Sequence, residues 1–66
     1  MVRYIVLSLN PTTKSPGLMV AETLEHAESQ QRRALADGRL LAVIVTSWAE
    51  HEAWRQVAAA LAASLP

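Results

Sequence analysis

Two apolar, β-branched runs, Tyr4–Leu9 (YIVLSL) and Leu40–Val45 (LLAVIV), flank one long helical pattern. Successive side chains of an extended segment point to opposite faces. In a first strand, predicted over Val2–Leu9, Ile5, Leu7 and Leu9 therefore share one face, and Val2, Tyr4 and Val6 share the other. A second strand is predicted over Arg39–Thr46. Leu40, Ala42 and Ile44 lie on one of its faces, and Leu41, Val43 and Val45 on the other. Strands that are apolar on both faces must be covered on both faces.

The polar stretch Asn10–Gly17 (NPTTKSPG) reads as a loop, since it holds two prolines and a glycine among small polar residues. Ser15 then reads as a helix N-cap, with Pro16 in the first turn of a helix reaching Ala36. Its inner stripe is Val20, Leu24, Ala27, Gln31, Ala34 and Leu35. Glu22, Glu25, His26, Ser29, Arg32 and Arg33 form its solvent face. Asp37-Gly38 ends the helix, with Gly38 free to take the left-handed conformation. After the second strand, Ser47 and Glu50 form a capping box, and Trp54, Val57, Ala58, Leu61 and Leu65 make the buried stripe of a second helix.

The predicted order is thus βαβα, an α/β (α+β) chain whose helix crossover makes the two strands parallel. Two strands alone do not make a stable sheet, so a second copy is expected to complete it. Composition sharpens this expectation. A domain of 66 residues buries only about 60% of the surface its unfolded chain exposes. Such small domains lean on disulfides, a metal or a partner. The chain has no cysteine, which removes disulfides and thiolate zinc sites. A homo-oligomer, most simply a dimer, is what remains. A net charge of zero gives no footprint for nucleic acid or an anionic membrane. The longest apolar runs are too short for a membrane span, and Met1–Asn10 lacks the basic start and cleavage site of a signal peptide. These features read as cytoplasmic. The alanine- and arginine-leaning composition suits a bacterial genome rich in G and C.

The stretch AESQQRRALADGRLLAVIV, Ala27 to Val45, passes from helix through Asp37-Gly38-Arg39-Leu40-Leu41 into an apolar strand. Ser47–Pro66 follows as a helix rich in small and aromatic residues. In both respects the chain resembles the ferredoxin-like proteins that form dimeric α/β barrels, among them the YciI-like proteins and the muconolactone isomerases. The resemblance implies a ferredoxin-like half with its sheet completed across a homodimer, and isomerase-like proton transfer within a small organic acid. Those proteins have four strands where two are predicted here. His26 also falls one residue from the expected helix histidine when Gly38 is aligned.

The candidate chemistry is sparse. His26 follows Glu22 by four residues, a spacing that lets a His–Glu pair share one helical turn and move protons near neutral pH. With Arg39, these are the candidate catalytic residues. Glu50-His51-Glu52 lacks the spacing of a metal motif, and two histidines without cysteine do not supply the three protein ligands of a catalytic zinc. No metal or other cofactor is expected. Lys14, in the long loop, offers a cation to an anion at a helix N-terminus, but the loop's prolines favour a rigid surface connection, which is the expectation. Trp48 lies off the apolar stripe of its helix, and Gln31 is the one polar residue in the stripe of the first. With Tyr4 and Leu61 they are the candidate interface residues, Gln31 bonding its counterpart across a two-fold axis if it is buried. The polar residues do not converge. The expectation is therefore a non-catalytic interaction or accessory module that self-associates or takes a protein partner. The alternative is a small-molecule binder or isomerase-like enzyme.

Overall fold

The computed structural model describes residues 3–66; Val2, expected to open the first strand, lies outside them. Its elements are β1 (Tyr4–Asn10), β2 (Ser15–Ala21), α1 (Leu24–Ala36), β3 (Leu40–Val45) and α2 (Trp48–Ser64). The sheet order is β2-β1-β3, and both outer strands run antiparallel to β1. The fold is α+β, in the order β-β-α-β-α.

Two expectations are corrected here. Residues 15–21 are a strand and not the start of a helix, because Asn10–Lys14 closes a turn on itself. The Asn10 side-chain oxygen accepts from the Thr12 amide at 2.9 Å, and the Lys14 amide donates to the Asn10 carbonyl at 2.8 Å. Lys14 takes φ 59° to complete the reversal. Pro16 is tolerated in β2 because an edge strand can turn a missing N–H outward. The helix starts later, at the Thr23 cap, whose hydroxyl accepts from the His26 amide at 3.1 Å.

With β2 inserted, β1 and β3 are antiparallel neighbours, not a parallel pair. The parallel crossover exists, but it joins β2 through α1 to β3 with β1 between them. This is a split βαβ unit.

Ile5 and Leu7 on one face of β1, Tyr4 and Val6 on the other, and Val43 and Val45 opposite Ile44 in β3 fall as expected, and each face receives one helix. Leu40 does not share the face of Ile44, because an extra residue in β3 pairs it with Leu9 on the face of Leu7 and Val43. Val6 and Ala21 pack with Ala27 of α1, flanked by Tyr4 and Ile44. Leu7 and Val45 pack with Trp54 and Ala58 of α2, flanked by Ile5, Leu41 and Val43. As a result Val6, Leu7, Ser8 and Leu9 are all buried. The two-faced strand is sealed within one chain.

An irregularity in β3 shapes this packing. Leu7 pairs with Val43 but Leu9 pairs with Leu40, so β3 carries an extra residue. Leu41 sits there with φ 51°, as a β-bulge. Each helix bonds to a carbonyl at the bulge: Trp54 Nε1 donates to Leu41 at 2.8 Å, and Gln31 Nε2 donates to Ala42 at 2.8 Å. Gln31 thus finds its partner inside the chain and needs no counterpart across a two-fold axis.

The core is thin. Among the described residues nine hydrophobic side chains are buried, and four of them are alanines, Ala21, Ala27, Ala34 and Ala58, which contribute little apolar area each. The Cα extents are 39 × 26 × 11 Å. Stacked helix and sheet layers, and strands seven residues long, each need roughly 20 Å. The 11 Å dimension is therefore the width across three strands, about 10 Å. The molecule is a slab whose sheet edges open onto its broad flanks.

Candidate functional site

Glu22 precedes the Thr23 cap and is not part of α1. The expected Glu22–His26 helical pair is absent, and the nearest polar partner of His26 Nε2 is Gln30 Nε2 at 3.5 Å. A helix rises about 15 Å over the ten residues from His26 to Ala36, and Arg39 lies beyond that end. The structure therefore does not bring His26, Glu22 and Arg39 to one place. The Lys14 turn leads into β2 and not into a helix N-terminus, and its ammonium donates to the Leu65 carbonyl at 3.2 Å. The last turn of α2 carries no basic residue, so Lys14 supplies a cation at the negative end of that helix.

Arg39 is held from three directions. Its backbone follows a Schellman cap at the end of α1. The Arg39 amide donates to Ala34 at 3.0 Å and the Gly38 amide to Leu35 at 3.1 Å, with Gly38 at φ 84°. Its Nε donates to the hydroxyl of buried Ser8 on β1 at 2.7 Å. Its terminal nitrogen Nη2 lies over Gly17 of β2, where an added Cβ would overlap it. The guanidinium thus crosses the α1-side face of the sheet above Ser8 and Gly17. It lines an open cleft of about 420 Å³ with Val6, Met19, Arg33, Ala34 and Asp37.

The opposite face carries a second concavity, between β2 and α2, lined by Leu7, Pro16, Leu18, His51, Trp54 and Arg55. His51 comes from the capped first turn of α2. Ser47 Oγ accepts from the Glu50 amide at 3.2 Å and donates to Glu50 Oε1 at 3.0 Å. The Trp48 ring stacks on His51 with centroids 5.0 Å apart and is itself 71% exposed. A continuous surface therefore runs from Trp48 through His51 to Leu18 on β2. Along β2, Leu18, Met19 and Val20 are 55%, 45% and 50% exposed. Of the other candidate interface residues, Tyr4 is half-buried against the α1-side cluster and Leu61 is half-buried on α2. Sequence reasoning missed the β2 residues, since it placed them in a loop and a helix. The signal was present in the short apolar run Leu18–Ala21 directly after Pro16-Gly17.

Among the described residues no helix is long and apolar enough to cross a membrane. No protein-family model, curated protein or solved structure matches this chain.

Proposed function

We propose that this chain is a non-catalytic, self-associating interaction module, and that its β2 edge pairs with β2 of a second copy. The observation that carries this reading is the contrast between the two sheet edges. β3 is bulged and its carbonyls at Leu41 and Ala42 are bonded by side chains from both helices, devices that blunt an edge. β2 is regular, pairs with β1 at every position from Ser15 to Ala21, and is apolar on both faces. A long apolar edge of that kind is a template for another strand.

Pro16 turns its missing N–H outward, and alternation then points the amides and carbonyls of Leu18 and Val20 outward too. Two copies related by a two-fold axis would form a six-stranded antiparallel sheet. Zero net charge leaves little repulsion between copies. The thin core supports the same reading, because burying Leu18 and Val20 adds apolar area that one chain lacks. Trp48, joined to this surface through His51, packs at its end.

Light scattering coupled to size-exclusion chromatography tests the proposal. The wild-type chain is expected to run as a dimer at micromolar concentrations. Leu18→Lys is expected to run as a folded monomer, since it places a charge beside the partner strand. Trp48→Ala is expected to weaken the dimer with the fold intact. A wild-type monomer, or a Leu18→Lys dimer as tight as wild type, would end the β2 reading.

A further inference from the structure

We infer that the cleft around Arg39 binds the head group of a small organic anion, a carboxylate or phosphate monoester carrying an apolar body. The guanidinium is placed by Ser8, Gly17 and the Schellman cap, yet its charge is unanswered. No carboxylate among the described residues lies within 4.0 Å of Arg39 or Arg33. Asp37, which also lines the cleft, is exposed and keeps beyond that distance from both.

The bond to Ser8 uses Nε alone. Both terminal nitrogens therefore remain as a planar fork, the geometry that grips a carboxylate or phosphate with two parallel bonds. The Ser8 hydroxyl accepts from Arg39, and no described residue takes its own proton, so it can donate to the same ligand. Arg33 adds a second cation at the rim, and Val6, Met19 and Ala34 line the walls with apolar surface. A few polar groups set in an apolar concavity are what fixes the orientation of a small ligand. Gly17 is part of the device, because its missing Cβ is the space the guanidinium occupies. Gly17, Leu18 and Met19 bring the cleft to β2, but the groups that hold the anion are Arg39, Ser8 and Arg33, none of them on β2, so this inference does not rest on the dimer.

The test is a titration of the full chain, followed by ¹⁵N–¹H correlation spectra at constant ionic strength, with benzoate, phenyl phosphate and benzamide as probes. Benzoate or phenyl phosphate is expected to give saturable shifts at the amides of Ser8, Gly17, Arg33 and Arg39, and the tighter of the two names the head group. Neutral benzamide is expected to give none. Arg39→Gln should weaken the anion about tenfold or more, the usual scale for a charge-assisted bidentate pair. Arg39→Lys should not restore it, because an ammonium lacks the fork.

Gly17→Ala keeps the arginine but displaces its guanidinium, and should weaken binding comparably. It also decides the matter if Arg39→Gln fails to fold. Arg55→Gln, on the opposite face, should bind as wild type. Non-saturating shifts with both anions, equal binding of benzamide, or undiminished binding by Gly17→Ala would overturn the site.

Discussion

Trp54 shows how one side chain can serve packing and polarity at once. Its ring is buried between α2 and the sheet, and its indole N–H satisfies the Leu41 carbonyl that the bulge diverts. Replacing it tests that second role. Trp54→Phe keeps most of the apolar bulk but leaves the carbonyl unpaired, at a cost of about 1–3 kcal/mol. Chemical denaturation should therefore show a lower midpoint; an unchanged midpoint would mean that water replaces the indole without loss. Arg39 has a different character, because its placement by Ser8, Gly17 and Gly38 holds a charge that no described residue neutralises. At this scale the sequence was a partial guide. Arg39 and Trp48 stood out by type and position. The partner of Gln31 could not be foreseen, since it is a carbonyl eleven residues away that a bulge presents.

Among the elements, β2 and β3 divide the labour of the sheet edges. β3 is bulged and bonded to both helices, whereas β2 has neither feature. Hydrogen exchange distinguishes a free edge from a paired one, because protection follows local opening. In the associated chain the outward amides of Leu18 and Val20 should be protected at high protein concentration and exchange freely on dilution. Fast exchange at every concentration would leave β2 unpaired. The periodicity of β1 and β3 was legible because their apolar positions repeat every second residue, and that of the helices only in part: Ala27, Ala34, Trp54 and Ala58 are buried, but Leu24, Leu35 and Val57 of the expected stripes are exposed. β2 was not, since Ser15-Pro16 signals a helix start and a strand start equally well. What decided between them was the closed turn at Asn10–Lys14 and the seven partners that β1 offers.

The molecule as a whole is a narrow slab with one well-filled strand at its centre. β1 is sealed on both faces, while the buried core around it draws on four alanines. Such a core gives modest stability, so association should add measurably to it. The midpoint of thermal unfolding is expected to rise with protein concentration in wild type and to be flat in Leu18→Lys, as mass action requires for a dimer. A flat wild-type profile would show that folding and association are independent. The sequence argument for self-association rested on the two apolar faces of both predicted strands and on the small, cysteine-free chain. In the structure those faces are covered from within, and the argument passes to Leu18, Met19 and Val20 on β2.

By itself the sequence determined the alternation of β1 and of Val43–Val45 in β3, and the caps at Ser47 and Gly38. These follow from local physics: a side chain's face is set by strand or helix period, and a cap by the conformation of one or two residues. Only the tertiary structure decided that residues 15–21 extend, that β1 and β3 run antiparallel, and that Arg39 lies over Ser8 and Gly17. Each of those depends on which distant segment offers a partner. Pairing energy between strands and the space left by a missing Cβ are properties of two segments together, and neither segment carries them alone.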